Sequence, residues 1–165
     1  MPSVPATDDQ FFDSLRGEDE LGAVVRAHIH IEARLNQVVE ALTPHPKHLP
    51  NLRYEQRLRL AVALGLNDQI LAPLKILGDI RNEFGHRLDT KLTQGMVDKL
   101  FKSFAPDDSE VVRSAYQTTQ SQLPTVTIPP FEKAGARTQF VMIAVALDKY
   151  LILAEREARQ RDAPA

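Results

Sequence analysis

The chain of 165 residues contains no cysteine and no tryptophan. Without cysteine there is no disulfide framework and no cysteine-ligated zinc site, so the composition gives no support to an oxidising compartment. The length is ample for one domain that buries a hydrophobic core without such cross-links. We therefore predict a single domain over residues 1–165.

An excess of charge of one sign is also missing. Lys and Arg number 20 and Asp and Glu number 22, which gives a formal net charge of -2. This balance argues against a protein that coats nucleic acid or anionic membrane through general electrostatics. No apolar run approaches the roughly 20 residues of a membrane span, and no leader pattern opens the chain. These absences predict a cytoplasmic globular protein whose function resides in a local site.

Apolar residues at alternating three- and four-residue steps are what the sequence does contain. This spacing is typical of helices and does not suit strands. The clearest run predicts a helix over 18–42 through Leu21, Val24, His28, Ile31, Leu35, Val38 and Leu42. Further helices are predicted over 54–64, 70–84, 93–104 and 134–159, with shorter ones ending near Leu15 and Tyr116. About six helices and no convincing pair of strands predict an all-α, single-domain helical bundle.

The segments outside the helices are rich in proline or lie at the termini. We predict loose termini over 1–7 and 160–165, and a long proline-containing connection over 117–133. The last helix is apolar on more than one face, so we expect it to be central or to form a subunit contact.

One polar stretch stands out at the end of the helix 70–84. Arg81 falls at the edge of the apolar stripe, where a guanidinium needs acceptors because it cannot lose its proton. We expect Gly85 to turn the backbone and His86 to project from just past the helix end. Arginine beside histidine can bind a phosphate or can cut RNA, with histidine moving the proton. A buried arginine tied to a carboxylate, with a capping histidine, fits the same spacing.

A second polar group lies on the first long helix. His28 is inside the apolar stripe, and Glu32 lies one turn later on the same side. If the helices pack, we expect Glu32 to pair with Arg81; a satisfied core histidine beside a core ion pair is the structural alternative. His28 and His30 point about 200° apart, so they cannot share a metal ion. We predict no metal and no cofactor.

Another face of the same helix carries Arg26, His30 and Arg34 at four-residue steps. We predict that this face is solvated.

The most basic stretch, Arg53 to Arg59, has three arginines and one glutamate. This patch suffices for a phosphate or an acidic partner but is poor as a reader of the DNA major groove. Arg57 within it therefore joins His28 and Glu32 as a candidate binding residue. The sequence contains no glycine-rich phosphate loop, nucleophile elbow or HExxH motif, and direct DNA binding ranks last.

The Arg-x4-His pattern from Arg81 to His86, at the end of an apolar helix, resembles the motif of HEPN domains, which are all-α. More of the chain, roughly 21–153, is similar to the bacterial mannitol operon repressor family, itself HEPN-like. The shared features are the Arg-Leu-Arg-Leu to Leu-Gly-Leu segment at 57–66, the following helix, His86, and Ile-Pro-Pro-Phe before the final long helix.

This resemblance implies two functions that the motif does not separate. The repressor-like branch implies a regulatory binding module in transcription regulation, with a protein, RNA or nucleotide partner. HEPN ribonucleases cut RNA without metal at a cleft between two protomers. By that resemblance Arg81 stabilises the phosphate, His86 is the acid/base and Asn82 helps to position them. A homodimer is expected from the same resemblance and from the apolar final helix.

Overall fold

The computed structural model describes residues 8–87, 89–122 and 129–161. For residues 8, 9 and 118–122 it describes the helical backbone alone. This part of the chain forms seven α-helices, three short 3-10 turns and no strand, which confirms the predicted all-α, single-domain bundle. The α-helices are α1 (Asp8–Arg16), α2 (Glu20–Leu42), α3 (Tyr54–Ala63), α4 (Leu71–His86), α5 (Gln94–Lys102), α6 (Pro106–Gln122) and α7 (Ala136–Arg161).

Helices α2 and α7 form the centre of the bundle. Helix α2 begins where the Asp19 side chain accepts a hydrogen bond from the Gly22 backbone at 2.7 Å, as an N-cap does. The two helices pack along each other, and α3 and α4 pack against α2. Of the two positions expected for the last helix, the central one is confirmed, because several of its apolar residues are fully buried: Phe140, Ile143, Ala144, Leu147 and Leu151.

Only part of the α2 face that carries Arg26, His30 and Arg34 is exposed to solvent as predicted. Arg26 is exposed and pairs with Glu18 at 2.6 Å. His30 and Arg34 instead face Asp148 of α7, whose Oδ1 lies 2.9 Å from His30 Nε2 and 2.8 Å from Arg34 Nε. The prediction is wrong for these two residues because α2 is covered on two sides. Helix α7 supplies a buried carboxylate beside the face that the apolar stripe identifies.

The end of α4 also differs from the prediction. Gly85 lies inside the helix, which continues to His86. Among the described residues only Gly65 has a positive φ, at 115°. Gly85 therefore makes no sharp turn, and His86 belongs to the last helical turn.

The connection predicted for 117–133 is shorter in the structure. Helix α6 continues to Gln122, and Phe131–Lys133 forms a 3-10 turn. Residues 123–128 lie outside the described part, as do 1–7 and 162–165, so the loose termini stay a prediction there. Helix α7 includes residues 160 and 161. No helix within the described ranges is both long and apolar enough to cross a membrane.

Candidate functional site

The last two turns of α4 present three of the predicted site residues to solvent. Arg81, Asn82 and His86 are all exposed. Arg81 Nη1 donates a hydrogen bond to Asn82 Oδ1 at 3.2 Å. No carboxylate of the described residues lies within 4 Å of the Arg81 guanidinium. The buried, carboxylate-paired arginine that the sequence also allowed is therefore not what the fold contains.

A cleft of about 600 Å³ separates the end of α4 from the start of α5, and we call it the α4/α5 cleft. Thr90 Oγ1 donates to the Glu83 carbonyl at 3.2 Å and holds the connection between these helices against α4. The cleft is lined by Asn82, Glu83, His86, Arg87, Asp89, Thr90, Lys91 and Met96. His86 thus faces a depression large enough to receive a ligand.

A second cleft, of about 470 Å³, lies on the other side of Asn82 between α2, α3 and α4, and we call it the α2/α3/α4 cleft. It is lined by His28, Glu32, Arg53, Tyr54, Glu55, Leu58, Lys75, Gly78, Asp79, Arg81 and Asn82. Asn82 lines both clefts, whereas Arg81 lines the second and His86 the first. The fold therefore brings five of the six predicted site residues to two adjoining depressions.

The sixth residue, Arg57, holds one wall of the α2/α3/α4 cleft. Its Nη1 lies 3.0 Å from Glu32 Oε1, and its Nη2 donates to the Leu52 carbonyl at 2.8 Å. The expected pairing of Glu32 with Arg81 is therefore wrong. The reason is that α3 packs against both α2 and α4, which places an arginine from α3 on the carboxylate. Arg57 takes part in the cleft through Glu32.

His28 lies at the inner end of the same cleft and is only 7% exposed. Its Nδ1 is 4.0 Å from Glu32 Oε2, and its ring centroid is 4.5 Å from that of Tyr54. Burial lowers the pKa of His28 below its usual value of 6.5, Glu32 opposes this shift, and Arg81 adds to it. His28 is therefore neutral at neutral pH and keeps both a donor and an acceptor nitrogen.

Tyr54 and Gly78 complete the cleft, and sequence reasoning missed both. Tyr54 Oη donates to the Leu74 carbonyl at 2.8 Å, and burial raises the pKa of this phenol. A Cβ on Gly78 would lie 3.0 Å from the Tyr54 ring, so glycine permits α3 to approach α4 closely. The available signal was a glycine in the middle of a helix, which costs stability unless close packing requires it.

No family model, curated protein or solved structure matches this chain. Within the described ranges, no three side chains of the metal-binding types come together as a group that could hold a metal ion. The chemistry available to the site comes from the two clefts and from the exposed side chains between them.

Proposed function

We propose that the chain is a regulatory binding module, HEPN-like and similar to the mannitol operon repressor family, that acts in the control of gene expression by binding RNA. The observation that carries this proposal is the exposed Arg81, which has a neutral amide as its hydrogen-bonding neighbour. His86 lies five residues further along the same helix.

The chemistry of these groups suits a phosphodiester. A guanidinium presents several donors in a fixed plane that matches two phosphate oxygens, and such charge-assisted bonds are among the stronger ones in proteins. Asn82 accepts from one Arg81 nitrogen at 3.2 Å, which restrains the guanidinium between the two clefts. The two nucleotides that flank a bound phosphate can then each enter one of the two clefts. Recognition of this kind needs local charge and is compatible with a net charge of -2.

The exposure of His86 within the α4/α5 cleft favours a second candidate, a metal-independent endoribonuclease. In this reaction a 2′-hydroxyl attacks the adjacent phosphorus, a base takes its proton, and an acid protonates the departing 5′-oxygen, which leaves a cyclic phosphate. His86 takes the proton of the 2′-hydroxyl and then gives a proton to the departing 5′-oxygen, and Arg81 stabilises the charge that develops on the phosphate oxygens. Asn82 positions Arg81.

We further propose that the protein acts as a homodimer. Leu21 and Ile29 on α2 are 46% and 48% exposed, and Val25 between them is half-buried. Residues spaced by four lie on one side of a helix, so these three form a second apolar stripe on α2, which we call the exposed stripe. His28 and Glu32 of the same helix line the α2/α3/α4 cleft. A second copy seated on the stripe would bring two sites close together.

The experiment is a titration of fluorescein-labelled single-stranded RNA with the full chain, in EDTA, followed by anisotropy and by gel. The variants are Arg81→Ala and His86→Ala, with Arg156→Ala as the matched control, since Arg156 is an exposed arginine on α7. Loss of a charge-assisted hydrogen bond costs about 1.5–3 kcal/mol, so we expect Arg81→Ala to weaken binding by roughly 10- to 100-fold.

The outcomes separate the two candidates. Binding that Arg81→Ala weakens, with intact RNA on the gel, supports the regulatory module. EDTA-resistant cleavage that disappears in His86→Ala establishes the ribonuclease instead. Equal behaviour of Arg81→Ala and Arg156→Ala, or no RNA binding even at low salt, where phosphate contacts are strongest, would remove both.

A further inference from the structure

The α2/α3/α4 cleft carries unneutralised positive charge. Two of its three carboxylates are already paired with arginines. Glu32 Oε1 lies 3.0 Å from Arg57 Nη1, and Glu55 Oε1 lies 3.0 Å from Arg59 Nη2. Asp79 is the third carboxylate and is exposed.

Three cations line the same cleft, namely Arg53, Lys75 and Arg81. None of the three has a carboxylate within 4 Å in the part of the chain that the structure describes. Three cations against one remaining carboxylate leave a positive surplus in a concave site, where field lines concentrate. An anionic ligand is what this surplus attracts.

The inner end of the cleft offers hydrogen bonds that no described residue uses. His28 is 7% exposed, and neither of its ring nitrogens forms a hydrogen bond to another described residue. Arg57 occupies Glu32 Oε1, whereas Glu32 Oε2 faces His28 Nδ1 at 4.0 Å. Both His28 and Glu32 line the cleft, so these groups are available to a ligand. A ligand hydroxyl suits this place because it can donate to the carboxylate and accept from the imidazole.

We propose that the α2/α3/α4 cleft binds a small phosphate monoester that carries hydroxyl groups. The phosphate binds Arg81 in the field of Lys75 and Arg53, and the hydroxyls bind Glu32 and His28. A volume of about 470 Å³ suits such a molecule, because small-molecule sites typically span about 300–1,000 Å³. Leu58 and Gly78 provide an apolar floor.

This site also implies a form of regulation, which rests on the proposed RNA binding. Arg81 belongs to the ester site and to the proposed RNA surface, and one guanidinium cannot fully serve two phosphates. The ester is therefore expected to compete with RNA and to raise the apparent dissociation constant of RNA as ester is added.

The test is isothermal titration calorimetry of the full chain with glucose 6-phosphate, adenosine 5′-monophosphate, glucose and inorganic phosphate. We expect at least one ester to bind at least about tenfold more tightly than glucose and than inorganic phosphate, because only an ester reaches both ends of the cleft. Tighter binding of one of the two esters shows whether the site accepts a sugar phosphate or a nucleoside monophosphate. The absence of measurable heat for both esters, or equal affinity for esters and inorganic phosphate, would overturn the proposal.

Variants confirm the location. Lys75→Ala and Glu32→Gln each remove one group from one end of the cleft, and Lys102→Ala removes an exposed lysine from α5 as the matched control. We expect an approximately five- to tenfold loss of ester affinity in the first two and none in the control. Circular dichroism verifies that Glu32→Gln is folded, and Lys75→Ala removes only an exposed side chain. Unchanged affinity in both variants contradicts the assignment.

RNA binding is measured separately, which keeps the two proposals distinguishable. His86 lines the α4/α5 cleft and not the α2/α3/α4 cleft. His86→Ala is therefore expected to affect the binding or cleavage of RNA and to leave ester affinity unchanged. Ester binding without any RNA binding would retain this site and remove the proposed function. RNA binding without ester binding would do the reverse.

Discussion

A Cβ built on Gly78 of α4 would lie 3.0 Å from Cε1 of Tyr54 in α3. The Tyr54 ring cannot easily move away from position 78, because its hydroxyl donates to the Leu74 carbonyl at 2.8 Å and its ring lies against His28. The absence of a side chain at position 78 therefore sets the distance between α3 and α4. That distance in turn shapes the α2/α3/α4 cleft.

Gly78→Ala is expected to destabilise the protein. Overpacking costs about 1–3 kcal/mol, and the better helix propensity of alanine returns about 1 kcal/mol, so we expect a net loss of about 1 kcal/mol in the free energy of unfolding. Gly85→Ala is the matched control in the same helix, because its Cβ would meet only Arg81 Nη1 at 3.8 Å. Urea denaturation should show Gly85→Ala as stable as wild type or more so. A stabilised Gly78→Ala would contradict the packing argument.

Asp148→Asn is expected to destabilise the fold considerably more. Asp148 is 1% exposed and its Oδ1 accepts from Arg34 Nε at 2.8 Å. Breaking a buried ion pair from one side costs about 3–5 kcal/mol, and we expect the lower end because Arg34 also donates to Gln37.

The comparison for Asp148→Asn is an exposed pair. Glu55→Gln weakens the contact between Glu55 and Arg59 on the surface of α3, where such a pair contributes at most about 1 kcal/mol. Chemical denaturation of both variants measures the difference. Similar small effects in the two would show that Asp148 is not a structural anchor.

The sequence predicts the helices well because the apolar periodicity of each reports its own buried face. Leu35 and Val38 are fully buried as that periodicity requires. It cannot report long-range partners. His30 is separated by 118 residues from Asp148, and the choice of Arg57 over Arg81 by Glu32 depends on how three helices meet.

The candidate site was predictable where it depends on local spacing. Arg81, Asn82 and His86 lie within two turns of one helix, so their proximity follows from the sequence once the helix is identified. Their division between two clefts depends on where α3 and α5 pack against α4, and local spacing does not contain that information.

The pH dependence of stability should carry a contribution from His28. Burial lowers the pKa of His28 in the folded state. The Glu32 carboxylate opposes this shift, and the Arg81 guanidinium adds to it. The unfolded chain therefore takes up a proton first as the pH falls below the ordinary value of 6.5. Above that pH His28 is neutral in both states, and below it the free energy of unfolding decreases until the lower folded-state pKa is reached.

The measurement is urea denaturation at about pH 7.5 and about pH 5.5, a window above the carboxylate range. His28→Gln should reduce the loss of stability between the two pH values relative to wild type. His48→Gln is the control, because His48 lies exposed in the loop after α2 and should leave the pH dependence unchanged. An equal pH dependence in wild type and His28→Gln would contradict the prediction.

The proposed homodimer is tested at Ile29, which is 48% exposed at one end of the exposed stripe on α2. A surface substitution is normally tolerated within about 0.5 kcal/mol, so Ile29→Glu should fold. If a second copy covers the stripe, the new carboxylate is buried without a partner and the dimer dissociates. Sedimentation velocity should then show a dimeric wild type and a monomeric Ile29→Glu. Val111→Glu, at a 62% exposed position on α6, should stay dimeric. A monomeric wild type would remove the dimer together with any active site shared between two protomers.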